Sequence, residues 1–184
     1  MSDDFQRMLG KFGRHPWATL AHVLPGTLLF LLAPFQFSAR IRRRYRSVHR
    51  WTGRVILACV AAITAAALYY GLLMPYGGLS ETTGVVTFAT LFAYAAWRGF
   101  IAIRAGRIAE HREWMTRMFG ISLGIAVQRV VGTPLVFFVH TSPSTWFGAT
   151  VWIGFLISAG TTEWIIRRRQ APAGFPRAEL LWSR

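Results

Sequence analysis

Apolar and polar positions follow one another along this chain in long blocks. Five apolar blocks occupy residues 17–37, 51–74, 84–103, 118–139 and 146–166. A soluble domain would break that much apolar sequence into shorter amphipathic pieces. Blocks of about twenty residues are the length a helix needs to cross the hydrocarbon of a bilayer. The pattern predicts an all-α fold, a polytopic membrane helical bundle of five transmembrane helices. The bundle takes up 15–169, between an N-terminal tail at 1–14 and a C-terminal tail at 170–184.

The connections between blocks alternate in charge. Arginine is dense in 40–54, 98–117 and 167–184, and absent from 75–83 and 140–145. In 40–54, seven of the fifteen residues are arginine: 40, 42, 43, 44, 46, 50 and 54. Charge of this density cannot sit in hydrocarbon, and basic connections stay on the cytoplasmic side. Five spans with this alternation put the N-terminus out and the C-terminus in. Lys11 and Arg14 before the first apolar block could pass for the start of a signal peptide. No small-x-small cleavage pattern follows, so the first block is read as an uncleaved span.

Within the blocks, single residues predict detail. Pro16 and Trp17 suit a first helical turn at a membrane interface. Pro25 and Pro34 each free a carbonyl four residues back, which predicts a kink or an end near Ala33. Ala58, Ala62 and Ala66 are four apart, a spacing that lets helices approach closely. Gly120, Gly124, Gln128 and Gly132 form a second such stripe, and Gly154, Ser158 and Thr162 a third. Residues 104–117 read as a second basic loop, with Glu113 and Arg117 spaced to pair on a helix face.

Composition sharpens the class. The chain of 184 residues is 53% hydrophobic and carries a net charge of +14. A basic protein can bind nucleic acid. Here the arginines gather between apolar spans, which points to anionic lipid head groups and excludes nucleic acid. Cys59 is the one cysteine, so neither an intrachain disulfide nor a cysteine-based metal site is available.

Few residues carry candidate chemistry. Arg129 falls near the middle of the fourth block, where a charge costs about 2.5–3.5 kcal/mol on insertion scales. Gln128, Thr133, Glu163 or an anionic ligand could partner it. His15, His22 and His140 fall toward the outer side, and His49 and His111 toward the inner starts of the second and fourth spans. Two histidines on facing helices can hold a b-type haem iron, or donate hydrogen bonds to a quinone. Arg42, Arg43, Arg50 and Arg112 could pair with propionates. No span carries two histidines far enough apart to stack two haems. The candidate cofactor-binding set is therefore His49, His111, His22, Arg50, Arg129 and Glu163. The alternative is a non-enzymatic membrane module, a small transporter or an assembly partner, with Arg129 and Glu163 as a polar clamp or substrate contact. A membrane partner and a homo-oligomer are both compatible with such a surface. No nucleotide loop, Ser-His-Asp set or zinc-protease helix is visible.

Two resemblances follow from these motifs. His49-Arg50-Trp51-Thr52-Gly53 resembles the His-Arg-x-Ser/Thr-Gly motif of the succinate dehydrogenase membrane anchor. That likeness spans five residues and lacks the second histidine motif, and local convergence is the simpler reading. A broader likeness runs through Ala21-His22, Ala33-Pro34-Phe35-Gln36-Phe37, His49 to Arg54, His111-Arg112-Glu113-Trp114-Met115 with Arg117, Arg129 with Pro134, and Glu163 to Arg167. With these motifs the chain resembles a bacterial family of polytopic membrane proteins catalogued as a domain of unknown function. The resemblance covers roughly 15–168. It implies a helical bundle in the bacterial cytoplasmic membrane, marks His22, His49, His111, Arg129 and Glu163, and names no reaction. The family usually has glycine where Ala33 stands.

Overall fold

The computed structural model describes residue 10 and residues 13–138 and 141–170. From Pro16 onward the described residues form six helices: α1 Pro16–Phe37, α2 Ala39–Arg44, α3 Arg46–Leu73, α4 Gly78–Arg104, α5 Ile108–Phe138 and α6 Pro143–Gln170. Five of them, all but α2, are long and apolar enough to cross a membrane. No strand occurs among the described residues. In lipid a backbone must satisfy its own polar groups, and a continuous helix does so within one segment. His140 and most of both tails lie outside the described residues.

The helix ends differ from the sequence expectation in instructive ways. Pro34 does not end α1 near Ala33; the helix runs on to Phe37, and Ser38 N–H still donates to the Pro34 carbonyl at 3.1 Å. Ser38 then turns to extended backbone and caps α2 by accepting from Ile41 N–H. The Arg42 guanidinium donates to the carbonyls of Gln36 and Phe37 at 3.1 and 2.7 Å. These are α1 carbonyls that a helix end leaves without intrahelical donors. The second basic loop also contracts. Only 105–107 lie outside helices, and the predicted loop residues from Ile108 are the first turns of α5. Gly106, at φ 75°, makes that turn possible where a side chain would be strained.

Helices α1 and α3 run antiparallel through the short α2, and α4 packs against α3, α5 and α6. All basic connections therefore meet at one end of the bundle. The core gathers Leu29 of α1, Ile56, Cys59 and Val60 of α3, Phe88, Phe92, Ala95 and Ala96 of α4, and Met118 and Ile121 of α5. Of α1 only Leu29 and Ala33 are buried.

The small-residue stripes on α5 and α6 do face protein. A Cβ on Gly154 would lie 2.6 Å from the Gln128 backbone nitrogen, and one on Gly120 would collide with Thr162. Ser158 Oγ donates to the Gly120 carbonyl at 2.5 Å. Such close contact is what small residues give helices in lipid. The alanine stripe of α3 behaves otherwise. Ala66 is buried but Ala58 is exposed, and the buried face runs through Ile56, Cys59 and Val60. Bulk at those three positions fills the core better than alanine would.

Candidate functional site

The first half of the site is the corner where α1 meets α3. Gln36 Nε2 donates to the His49 carbonyl at 3.1 Å and makes a shorter bond to Thr52 Oγ1. Thr52 in turn donates to the Val48 carbonyl at 2.8 Å. Gly53 faces the same amide: a Cβ there would sit 3.5 Å from Gln36 Oε1, in ordinary contact. Two motifs far apart in sequence thus form one joint. Arg42 closes it from α2, and His49 lies beside it, half-buried, with an Nδ1 that has no hydrogen-bond partner among the described residues.

The second half comes from α5. His111 Nδ1 lies 2.8 Å from the Gly99 carbonyl of α4. A carbonyl only accepts, so Nδ1 carries a proton, and in the neutral ring Nε2 keeps the lone pair. The same arrangement orients histidines that ligate metals. His49 lies within electrostatic reach of both Arg42 and His111. Phe119 of α5 packs on Phe37 of α1, with ring centroids 5.2 Å apart, and closes the gap between the two halves. Among the described residues no group of three or more metal-ligating side chains forms. Next to this region, α3 and α4 leave an open apolar groove lined by Leu57, Val60 and Ala61 on one side and Ala93, Trp97 and Phe100 on the other.

A charged network flanks the site. Glu110 takes Arg98 at 2.9 Å and Arg107 at 2.6 Å. Trp114 lies between Arg98 and Arg117, whose guanidinium carbons stand 5.0 and 4.8 Å from its ring centroid. Arg117 donates to Glu163 at 2.9 and 3.3 Å, and Arg167 adds a contact at 3.4 Å. This corrects the Arg129–Glu163 clamp that the sequence suggests. Arg129 lies twelve residues beyond Arg117 on α5, about 18 Å along the axis. Glu163 is taken by the arginine at its own depth.

The remaining sequence candidates are scattered. Arg50 is exposed, with no hydrogen bond or ion pair among the described residues. His22 sits in the other half of α1, facing the backbone of Ile63, with a buried Nδ1 that has no partner among the described residues. Ile63 lies fourteen residues beyond His49 on α3, about 21 Å away. Arg129 is exposed on the outside of the bundle. On different helices, only His49 and His111 of the set lie within electrostatic reach of one another.

Three polar residues carry more of the structure than their sequence context suggests. Gln36 stands in the sequence only as one letter of a motif. Gln128 is 2% exposed and donates to Thr150 at 3.1 Å, so the buried polar contact of α5 lies one position before Arg129. Glu81 is buried and accepts the backbone N–H groups of Tyr76 and Gly77 at 2.5 and 2.6 Å, satisfying donors at the start of α4. An acid in a first turn after Gly77-Gly78 is the sequence signal for it.

No curated protein and no solved structure matches the chain. The family model described as a predicted membrane protein, DUF2306, matches residues 19–166, and the chain belongs to that family.

Proposed function

We propose that this membrane protein binds a lipid-soluble redox molecule, a quinone, with its head group held between His49 and His111. One observation carries the reading. His111 is locked by Gly99 with Nε2 left over, while His49, within electrostatic reach, has a buried Nδ1 without a partner among the described residues. A quinone carbonyl accepts a hydrogen bond, which His49 can donate through Nδ1; His111, whose Nδ1 proton is held by Gly99, can accept from a quinol hydroxyl through Nε2, and Arg42 adds positive charge beside them. The apolar groove of α3 and α4 suits an isoprenoid tail. The basic end faces the cytoplasm in this proposal, with the N-terminus out, in the bacterial inner membrane; the alternation of arginine supports that orientation.

A b-type haem between the same histidines is the second reading. The N–H of His111 on a backbone carbonyl favours it, since axial histidines are commonly oriented so. One experiment separates the two. Protein purified in lipid nanodiscs is extracted for quinone, and its spectrum is recorded oxidised and reduced. Quinone above the lipid background, lost in His49→Ala and His111→Ala, supports the first reading. A Soret band that shifts on reduction and is lost in the same variants supports the second. If both signals are missing, both readings fall.

A further inference from the structure

Arg129 is the least accommodated charge among the described residues. It is exposed on the outer surface of α5, and no described residue hydrogen-bonds or ion-pairs with it. Its neighbours on that surface are apolar or small: Ile125 is 40% exposed and Val130 75%, with Ala126 and Thr133 also exposed. Arginine at such a depth ordinarily faces a bundle interior or a wet cavity. Here it faces outward, so the isolated chain is incomplete at this point.

The geometry removes two simple coverings. The charged belt of Arg117 and Glu163 marks the basic end. Arg129 stands about 18 Å beyond it, which leaves about 12 Å of a roughly 30 Å hydrocarbon layer on the far side. That is longer than the arginine side chain, so a lipid phosphate is out of reach without thinning the bilayer. A second copy of the chain fails for another reason. Its described carboxylates are all engaged: Glu81 by backbone N–H groups, Glu110 and Glu163 by arginines, Glu113 by Arg117 and Gln170. Asp3, Asp4 and Glu179 lie in the tails, away from the apolar blocks.

We infer that this face of α5 docks a transmembrane helix of a different protein, one that carries an aspartate or glutamate at the depth of Arg129. Charge complementarity selects the partner. Ala126 and Thr133, on the same face as the arginine, let its backbone come close. The inference is independent of the histidine site, which lies toward the other end of α5.

The test is a charge swap read by cross-linking. A photo-reactive amino acid replaces Ile125 in the full chain, expressed in membranes of its source organism, and adducts are identified by mass spectrometry. The expected adduct is a membrane protein with an acidic residue inside a span. Arg129→Glu lowers its yield at least about tenfold, as expected for a close charge pair. Changing the partner's acid to arginine then restores the yield with Arg129→Glu. Should Arg129→Glu not fold, Arg129→Gln serves for the loss and Arg129→Lys for its retention. Adducts with lipid alone, with a second copy, or with a protein whose yield ignores the charge at 129 overturn the inference, as does the absence of any adduct.

Discussion

Arg117 and Glu163 join α5 to α6 through two hydrogen bonds of 2.9 and 3.3 Å, at the end where every basic connection gathers. The pair is partly exposed, so its coupling falls near the upper end for surface ion pairs, about 1 kcal/mol. A double-mutant cycle with Arg117→Ala and Glu163→Ala, read by thermal unfolding in detergent, should return that coupling. Raising the salt concentration should shrink it.

The contact between α5 and α6 depends on missing side chains. Gly154→Ala should destabilise the protein by about 1–3 kcal/mol, because its Cβ meets Gln128 backbone and cannot be relieved by a rotamer change. A methyl group added at Gly160, on the same helix, would meet nothing within 4 Å. Gly160→Ala should leave the unfolding temperature unchanged or raise it. Equal losses at both positions would refute the packing argument.

Deep in the bundle, Thr150→Val removes the acceptor of Gln128 Nε2. The expected cost is about 0.6–1.7 kcal/mol, the range for interhelical hydrogen bonds in lipid. Adding Gln128→Leu should recover most of it, since an apolar pair leaves no buried group unsatisfied.

Gln36→Leu keeps the bulk of the side chain and deletes its bonds to His49 and Thr52. Amide exchange in the last turn of α1 and the first of α3 should accelerate, while the α5 and α6 amides stay protected. Unaltered exchange at the α1–α3 corner would show that the joint is held by other contacts.

Sidedness is checked by labelling. In a Cys59→Ala background, Tyr45→Cys and Ser142→Cys should react with an impermeant thiol reagent from opposite faces of the membrane. Reaction from one face would contradict an odd number of crossings between residues 45 and 142.

The number of long spans was legible because length and apolarity are properties of a stretch; the short, arginine-rich α2 was not. Azimuth was not, because neighbouring residues on a helix point about 100° apart. Gln128 and Arg129 show this well: as neighbours in the chain they share one depth, and packing puts the first inside and the second outside. The Ala58 stripe failed for the same reason. The arginine that meets Glu163 is decided by level along the helix, and Arg117 is level with it where Arg129 is not. The nearness of His49 to His111, within electrostatic reach, was legible only as a shared end of the bundle, since pairing of helices depends on contacts far apart in sequence.

Helix α1 is hydrogen-bonded to α3 near both of its extremities: by Gln36 at one and by Thr19, whose hydroxyl lies 2.7 Å from that of Tyr70, at the other. Between those points it buries only Leu29 and Ala33. Bilayer thickness acts on such a helix directly, because mismatch is relieved by tilt. Tilting α1 loads the Gln36 attachment and, through it, the backbone of His49, so the lipid around the protein has a mechanical route to the start of α3.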